Sequence, residues 1–509
     1  MKHPRNLSAA IAAVCLTLSL QACTGLPPAS QDNALPAVPQ VPEQFPAASG
    51  GVSAAKVEWQ AFFKDRHLAD LVETALANNQ ELNILMQEIE VAKSEVGARQ
   101  GEYLPFINLR AGAGIDKAGR YTREGVVEHN HEIREGKEFP EPLPDFLLSA
   151  EASWEVDIWK KLRNATKAAN LRYLATEEGR NFMVTRLVAE TASEYYALLA
   201  LDRRLAILEQ TIRVQESALE TVRLQKAAAR ATELAVRKFE AEVLKNRSQV
   251  FELRQEITET ENRLNFLAGR FPQPVERAAN GFDQLPSAAP EVGSPAELLA
   301  NRPDVRQAEL ALAAAKLDVK VARAQFYPSL DLSAAVGLRS FETASFATTP
   351  ESLIYRVAAD LLVPLFNRRA IRAAYQSASA RQLQALYEYQ QTVLRAYLEV
   401  ETQLAKADNY GHSFELKREQ VGAMNDSVAI AGKLFKFARA DYMEVLMTQR
   451  DALESGMELV ELKQQQVNAL VKTYQALGGG HVSKPAIAAG GAHAAQDPAG
   501  GKRAPTVGG

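Results

Sequence analysis

The sequence predicts an α+β membrane protein in which one structural unit occurs twice along the chain. Three observations lead to this fold class: an internal repeat, four segments of alternating apolar residues, and long helical stretches without proline. The repeat pairs residues 77–82 (ANNQEL) with 300–305 (ANRPDV), and residues 229–232 (ARAT) with 438–441 (ARAD). The first pair is offset by 223 residues and the second by 209. The first copy therefore contains extra residues, which we assign to the charged stretch 117–145.

The N-terminus has the features of a bacterial lipoprotein signal peptide over residues 1–22. Lys2 and Arg5 precede an apolar run, residues 9–20, that is too short to span a bilayer as a helix. The sequence Leu-Gln-Ala precedes Cys23 and resembles a lipobox. We therefore expect Cys23 to be lipidated and to anchor the mature chain in membrane lipid. The alternative is an ordinary signal peptide followed by a chance cysteine.

The two ends of the mature chain have compositions that do not build a core. Residues 23–55 are rich in Pro, Ala, Ser and Gln, which predicts an extended, lipid-anchored tether. Residues 479–509 are rich in Gly and Ala, which predicts a disordered tail. The formal net charge of −4 is mild and argues against nucleic acid as a partner.

Four segments alternate apolar and polar residues with the period of a β-strand: 105–115, 146–158, 329–338 and 353–365. Each has about the length of a strand that crosses an outer membrane, although a soluble sandwich would alternate in a similar way. In a barrel, one face meets lipid and the other lines water. The lipid-facing set includes Leu148, Trp154, Leu332 and Leu361, and the water-facing set includes Glu151, Glu155, Asp157 and Asp331.

The rest of the body is predicted to be helical. No proline occurs in residues 160–226 or 368–477, and both stretches are rich in helix-forming residues. Apolar residues recur every seven positions near the end, which is typical of a coiled coil: Leu446, Leu453, Val460, Val467 and Tyr474. A helix of roughly seventy residues would be about 100 Å long.

The number of strands predicts an assembly of three chains. Four strands are too few to close a barrel, and a spanning sheet cannot leave unpaired backbone groups in hydrocarbon. Two copies would give an eight-stranded barrel that is filled by side chains. Three copies give a twelve-stranded barrel with an open lumen, so we expect a homotrimer in which each chain contributes four strands.

Several motifs resemble those of the TolC-like outer membrane factor family, in particular its NodT-type efflux lipoproteins. The similarity covers roughly residues 56–480 and rests on the order of the motifs together with the duplication. The matching segments are 59–65 (WQAFFKD), 154–159 (WEVDIW), 301–305 (NRPDV), 363–367 (VPLFN), 441–446 (DYMEVL) and 474–480 (YQALGGG).

The resemblance implies an exit channel in the cell outer membrane, with a helical barrel that extends into the periplasm. Such a channel passes small molecules in a tripartite efflux system with a periplasmic adaptor protein and an inner-membrane pump of the resistance-nodulation-division type. The resemblance also implies that the two repeats, 56–269 and 301–478, are joined by an equatorial connection at 270–300. Residues 408–430 would belong to the same equatorial domain. A type I protein-secretion duct and a lipid-tethered coiled-coil scaffold are the alternatives.

The resemblance also implies which residues carry function. The two helix turns at the periplasmic tip would contact the adaptor, and carboxylates near the second turn would hold the channel entrance shut. The turn residues are Ala229, Arg230, Thr232, Ala438 and Arg439, and the gate residues are Glu444 and Asp441. Met447 departs from the acidic residue common at its position in the family, and Glu444 could instead be an ordinary surface carboxylate.

No enzyme, cofactor or metal site is predicted. The sequence contains no phosphate-binding loop, zinc-protease helix or nucleophile elbow. The segment around His129 and His131, flanked by Glu128 and Glu132, has metal-ligating residue types, but a closed metal site requires further placed ligands. We interpret this segment as a solvated loop.

Overall fold

The computed structural model describes residues 42, 45, 54, 57–278, 281–285, 292–366, 368–437 and 439–480. The predicted signal peptide, Cys23, most of the tether, Ala438 and the tail from residue 481 onward lie outside the described residues.

The described residues form ten α-helices and six strands. The first repeat contains α1 (Trp59–Phe63), α2 (Arg66–Asn78), α3 (Gln80–Tyr103), β1 (Phe106–Asp116), α4 (Arg123–Asn130), β2 (Glu132–Arg134), β3 (Lys137–Glu138), β4 (Leu143–Val156), α5 (Lys161–Ala227) and α6 (Glu233–Leu267). The second contains α7 (Pro295–Asn301), α8 (Pro303–Ala324), β5 (Ser329–Ser340), β6 (Leu353–Leu362), α9 (Arg369–Lys436) and α10 (Tyr442–Ala476).

The four long strands form one antiparallel sheet in the order β1-β4-β5-β6. The register places Trp154 opposite Leu332, and Leu332 opposite Ala359, so the predicted apolar residues share one face. On the other face, Glu155 lies opposite Asp331. Within this sheet, the outer sides of β1 and β6 have no strand paired to them. The predicted strands and their two faces are therefore confirmed, and the sheet has two open edges.

Asp157 does not line the polar face of the sheet, so this prediction is wrong. It follows the last residue of β4, and its carboxylate accepts hydrogen bonds from the backbone N–H groups of Leu162 (3.1 Å) and Arg163 (3.0 Å). The Arg163 side chain also pairs with this carboxylate at 3.0 Å. Asp157 therefore satisfies backbone groups that the first turn of α5 leaves without partners, which the strand alternation alone does not reveal.

The long helices pack around α5 and α9. On the side of the sheet, α5 lies between α3 and α8, and α8 also contacts α9. On the opposite side, α5 lies between α6 and α10, and α10 contacts α9. At 67 residues, α5 is about 100 Å long, as predicted. In the described part of the chain, none of the helices contains a segment with the length and hydropathy of a membrane span.

The main core lies around the middle of α5 and α9, between the helices on the side of the sheet and those on the opposite side. Tyr195 and Tyr474 are almost fully buried there, and both hydroxyls are satisfied. The Tyr195 hydroxyl donates to Asp65 at 3.1 Å, and the Tyr474 hydroxyl donates to the carbonyl of Val57 at 2.7 Å. Burial raises the pKa of both tyrosines well above the usual range. The short N-terminal helices are thereby tied to the long ones.

The described residues of the 270–300 connection, 270–278, 281–285 and 292–300, run along this core. The Arg277 guanidinium pairs with Asp202 at 2.5 Å and with Glu261 at 2.6 Å, which fastens the connection to α5 and α6. Residues 408–430, expected in the equatorial domain, form no element of their own and lie inside α9. Gly411 and Gly422 weaken this helix, but α9 packs along α10 and continues through both positions.

The extra residues of the first repeat form structure that the sequence analysis does not predict. They contain α4 and the β2–β3 hairpin, between β1 and β4. Lys137 pairs with Glu342 at 2.8 Å, and the rings of Phe139 and Phe341 lie 5.7 Å apart. The insertion therefore packs against the β5–β6 loop of the same chain.

Candidate functional site at the helix turns

The first turn joins α5 to α6 and contains a residue in the left-handed backbone region. The N–H of Ala228 donates to the carbonyl of Leu224 at 3.1 Å, and the N–H of Arg230 donates to the carbonyl of Gln225 at 2.8 Å. Ala229 lies between them with φ of 58°. This pattern ends many helices, but it usually places glycine at the left-handed position. The sequence therefore folds into a tight turn here despite the Cβ of Ala229.

The second turn joins α9 to α10 and repeats this geometry. The N–H of Phe437 donates to the carbonyl of Lys433 at 3.3 Å, and the N–H of Arg439 donates to the carbonyl of Leu434 at 2.9 Å. Ala438 lies outside the described residues. The two turns occupy equivalent positions in the two repeats, 209 residues apart.

Each turn ends on a side chain that caps the next helix. The Thr232 hydroxyl accepts a hydrogen bond from the N–H of Ala235 at 3.2 Å and begins α6. The Asp441 carboxylate accepts one from the N–H of Tyr442 at 2.6 Å and begins α10. Ser, Thr, Asp and Asn are preferred at this position because such oxygens satisfy free helix N–H groups. The structure thus gives Thr232 and Asp441 a local role in shaping the tip.

An apolar cluster holds the two helical hairpins together near the turns. Phe239 of α6 and Phe435 of α9 lie with ring centroids 6.4 Å apart, and Val445 of α10 is buried beside them. Ala231 and Ala440, one from each turn, pack against this cluster. The tip is therefore one packed unit rather than two independent hairpins.

Charged side chains surround the first turn. Glu233 pairs with Lys226 across the turn and with Arg237 at 2.9 Å along α6. The hydrogen bond from Lys226 and the charge of Arg237 hold the pKa of Glu233 below its ordinary value. By contrast, Arg230 and Arg439 are exposed, and neither makes an ion pair with any residue that the structure describes. Both turns thus present a guanidinium to solvent.

Glu444 lies in the first turn of α10, three residues after Asp441, and is exposed. Its backbone carbonyl accepts a hydrogen bond from Thr448 at 2.7 Å, while its carboxylate makes no ion pair within the described chain. Met447, one turn further along, is 51% exposed. The equivalent of Glu444 in the first repeat is Ala235. Each chain therefore carries a carboxylate at this position of the repeat once, in the second half.

His129 and His131 lie at the end of α4, far along the chain from the turns. In the part of the chain that the structure describes, no group of three or more His, Cys, Asp or Glu side chains is arranged to hold a metal ion. The charged network around Lys226, Glu233 and Arg237 is not among the functional residues that the sequence predicts. Its signal is the spacing of opposite charges three or four residues apart on α6.

A family model described as outer membrane efflux protein matches residues 71–270 and 294–479, more than half of the chain. The chain therefore belongs to the outer membrane efflux protein family, whose members are channel components of transport systems. The predicted location in the outer membrane and the predicted role as an efflux channel are confirmed by this membership. The fold class, a four-stranded sheet per chain continued by long helices, is confirmed by solved channels of the same architecture.

Two relatives align along nearly their whole length. The cation efflux system protein CusC of Escherichia coli strain K12 is 26% identical over 472 residues, which cover 92% of this chain and 98% of the relative. The pyoverdine export outer membrane protein OpmQ of Pseudomonas aeruginosa is 29% identical over 481 residues, which cover 94% and 97%. The open-state structure of the Neisseria gonorrhoeae MtrE outer membrane channel superimposes with a TM-score of 0.77 at 21% identity, covering 87% of this chain and 98% of that one.

Proposed function

We propose that three copies of this chain close into a single conduit that exports small molecules from a periplasmic adaptor and an inner-membrane pump. The observation that carries the proposal is the pair of open sheet edges, β1 and β6. In hydrocarbon each unpaired backbone group costs several kcal/mol, so these edges must pair with other copies. Twelve strands then surround a lumen wide enough for solutes.

The polar face of the sheet supports a water-filled lumen. Arg339 pairs with Asp145 at 2.8 Å, and Arg110 lies 3.8 Å from Glu151. At the end of β4, Glu155 pairs with Lys161 at 2.5 Å. Such a row of ion pairs is stable beside water and would be costly against lipid. The opposite face, with Leu109 83% exposed and Val357 84% exposed, is suited to lipid.

The helix turns are the proposed adaptor surface. Arg230 and Arg439 stand at the ends of the two hairpins, on the side opposite the sheet, where a periplasmic partner would meet the channel. Their guanidinium groups are suited to carboxylates on that partner, because Arg can donate two parallel hydrogen bonds to one carboxylate. Ala229 and Thr232 would shape the first turn rather than supply charge, and Ala438 is proposed as a contact residue from its place in the repeat alone. The pump class, resistance-nodulation-division, is part of the same proposal.

Glu444 is the proposed gate residue, with Asp441 beside it. Because each chain has one Glu444 at its tip, three chains would place three carboxylates around one axis. Like charges at close range repel and attract cations, so such a ring would shape passage through the closed end. Asp441 already accepts a backbone hydrogen bond, which makes Glu444 the freer of the two carboxylates.

The proposed membrane anchor is the lipidated Cys23. A fatty-acid label should enter the wild-type chain and should be absent from Cys23→Ser. If the variant incorporates as much label as the wild type, the lipobox assignment is wrong. The barrel inserts by itself in this proposal, so assembly should survive the substitution.

The exported compound is proposed only as a class. The names of the two relatives point to different cargo, cations for CusC and pyoverdine for OpmQ. We therefore propose that the exported compounds are small solutes delivered by the pump, and that this chain passes them without a dedicated binding site.

The mass and conductance of the purified protein test the proposal together. The detergent-corrected mass should be three times that of the mature chain, and the same preparation should conduct ions in planar bilayers. A monomeric or dimeric mass in a preparation that conducts would overturn the shared conduit. A host without its own efflux channels should gain drug resistance only when adaptor, pump and this chain are produced together.

A further inference from the structure

We infer that unpaired cations, placed where the helices leave the sheet, bind the phosphate groups of phospholipids in the periplasmic leaflet of the outer membrane. These cations are Lys160 and Lys167 at the start of α5 and Arg369 and Arg372 at the start of α9, and together they form the basic band. The inference rests on the proposed conduit, because the sheet must span the membrane for the band to lie at its surface. It adds the chemical group that the chain recognises there.

Charge is distributed unevenly along the two long helices. Residues 160–176 contain five Lys or Arg and no Asp or Glu, and residues 368–387 contain four and none. The remaining parts are balanced, with seven cations and eight acids in 177–227 and six cations and seven acids in 388–436. Only the ends next to the sheet are purely basic, so the excess of positive charge belongs to this level of the molecule and not to the helices as a whole.

Acids at this level are engaged by other cations or lie on the polar face of the sheet. The ion pairs are Arg99 with Glu102, Lys161 with Glu155, Arg163 with Asp157 and Arg172 with Asp318. Asp331 and Asp360 lie opposite each other on the polar face. The four cations of the basic band are exposed, and none of them forms an ion pair with a residue that the structure describes. Their charge is therefore available to an anion outside the chain.

Aromatic side chains mark the edge of the membrane directly above the basic band. The indole N–H of Trp154 donates to the carbonyl of Tyr103 at 3.0 Å, and that of Trp159 donates to the carbonyl of Pro328 at 2.8 Å. The Trp159 ring also stacks on Tyr327, with centroids 4.7 Å apart. Trp and Tyr are enriched at the boundary between lipid and water, because their rings are amphipathic. The band therefore begins at the level of the lipid headgroups.

The direction of Lys161 shows which side of α5 faces the lipid. Lys161 pairs with Glu155, which lies on the polar face of the sheet, so its side of α5 faces the lumen. Successive residues of a helix are about 100° apart, so Arg163 and Lys167 project from roughly the opposite side. Lys167 therefore lies on the side that continues the apolar face of the sheet.

A contact of Arg163 agrees with this direction. Its guanidinium lies 5.9 Å from the ring centroid of Tyr103, whose carbonyl accepts the hydrogen bond from Trp154 on the apolar face. In α9, Arg372 is the counterpart of Arg163, 209 residues further along the chain, and both Arg372 and Arg369 are exposed. The basic band thus continues the lipid-facing surface of both repeats.

Phospholipid headgroups fit this surface in both position and charge. Between residues 160 and 167, α5 descends by about 10 Å, and the headgroup layer is roughly 5–8 Å thick on each side of the hydrocarbon. The long Lys and Arg side chains can extend back toward the membrane and reach the phosphates. Neither α5 nor α9 has an acid in its first turn, where a negative charge would be favoured, so an external phosphate supplies that charge.

Electron spin resonance of spin-labelled lipids tests the inference. The full-length protein is reconstituted in phosphatidylcholine vesicles that contain a small share of spin-labelled phosphatidylglycerol or, separately, spin-labelled phosphatidylcholine. In the parent protein, association of the anionic lipid should be favoured about fivefold at sites beside one cation, and high salt should weaken this preference. The preference should vanish when all four cations are replaced, in Lys160→Gln/Lys167→Gln/Arg369→Gln/Arg372→Gln.

The matched control removes four exposed cations from the same two helices, further from the sheet. It is Arg213→Gln/Arg395→Gln/Lys406→Gln/Lys433→Gln. This control lowers the net charge by the same amount and should keep the preference of the parent. Lys167→Arg/Arg372→Lys keeps the charge at the band and should also keep the preference.

Two double variants protect the test against a quadruple variant that assembles poorly. Lys160→Gln/Lys167→Gln and Arg369→Gln/Arg372→Gln should each lose part of the preference. If the band variants keep the preference of the parent, or if the control loses as much as they do, the inferred phosphate surface is wrong. The proposed conduit still stands in that case, provided that the reconstituted protein has the mass of a trimer and conducts. A monomeric mass in a conducting parent preparation would overturn the conduit itself.

Discussion

The guanidinium of Arg302 donates a hydrogen bond of 3.0 Å to the backbone carbonyl of Ala476, 174 residues further along the chain. This contact ties the start of α8 to the end of α10. Arg302 is 4% exposed and also pairs with Asp304 at 2.6 Å and Glu399 at 2.8 Å. Burial alone would lower the pKa of Arg302. The hydrogen bonds and charges of the two carboxylates outweigh burial, so the pKa of Arg302 lies above its ordinary value.

The first repeat has the equivalent contact, made by a different residue. The counterpart of Arg302 is Asn79, and its side-chain amide donates to the carbonyl of Leu267 at 3.0 Å. Leu267 is the counterpart of Ala476. The duplication therefore preserves the contact while the donor changes from a neutral amide to a charged guanidinium. The charge of Arg302 also allows ion pairs with Asp304 and Glu399, which the neutral Asn79 cannot make.

Arg302→Ala should lower the free energy of unfolding by about 3 kcal/mol, because it leaves the partly buried Asp304 without its cation. Arg302→Lys should cost less, since it keeps the charge and loses the two-pronged geometry. Thermal melting of the solubilised protein, followed by circular dichroism, measures both. The control is Arg306→Ala, whose exposed pair with Glu309 should contribute little. Equal losses in Arg302→Ala and Arg306→Ala would contradict the anchoring role.

Gly269→Ala and Gly478→Ala should each destabilise the protein by more than about 2 kcal/mol. Both glycines have positive φ, 64° and 85°, which costs other residues roughly 1–2 kcal/mol. A Cβ would also lie 2.3 Å from the carbonyl oxygen of Asn78 or 2.7 Å from that of Asn301. Chemical denaturation measures the loss.

The matched control for these glycines is Gly422→Ala. A Cβ there meets nothing within 4 Å, and the position is helical. Alanine should therefore leave stability unchanged or raise it by about 1 kcal/mol. If the three substitutions change stability equally, the closeness of the Asn78 and Asn301 carbonyl oxygens is not the reason that residues 269 and 478 must be glycine.

Ala229→Gly should stabilise the first turn by about 1 kcal/mol, because glycine adopts the left-handed conformation of this residue without strain. Slower hydrogen exchange of the amides around residue 230 would report the gain. Ala228→Gly is the control, since Ala228 has φ of −86° and glycine relieves nothing there. Faster exchange in Ala229→Gly would mean that the turn is held by other contacts.

Asp157→Asn should lower stability by about 2 kcal/mol at pH 7, because hydrogen bonds to an ionised acceptor are lost. Burial raises the pKa of Asp157, but hydrogen bonds from Arg163 and Leu162 outweigh burial and lower it below the ordinary 3.8. A lowered carboxyl pKa contributes stability that is present above the unfolded pKa and is lost as pH falls through the folded value.

The difference in melting temperature between wild type and Asp157→Asn should therefore shrink from pH 7 to pH 3. The control is Asp426→Asn, a substitution at an exposed position of α9 that should have little effect at either pH. A difference that stays constant over this range would show that the loss comes from geometry and not from the charge.

Glu444→Ala should raise single-channel conductance or alter block by cations, because it removes the proposed ring of three like charges at the tip. Planar-bilayer recordings measure both properties. Glu461→Ala removes an exposed carboxylate from the same helix, far from the turn, and should leave the recordings unchanged. Identical recordings for Glu444→Ala and wild type would remove Glu444 from the gate.

The sequence by itself determined the duplicated plan, the four strands and the long helices, because these follow from local periodicity. Alternation placed Trp154 and Leu332 on one face, and the absence of proline predicted α5 almost to its ends. The turns near Ala229 and Arg439 followed from the repeat, which marks the same break in both halves. Such features depend on residues close together in the chain.

The tertiary structure alone decided the features that depend on residues far apart. Asp157 continues the strand pattern, yet it caps α5, because the free N–H groups of that helix lie beside it. The partners of Arg302 are separated from it by up to 174 residues, and no spacing rule connects them. That β1 and β6 are the two strands at the open edges became apparent only once the order of the strands in the sheet was known. Periodicity states which face of an element is apolar, but packing decides what that face meets.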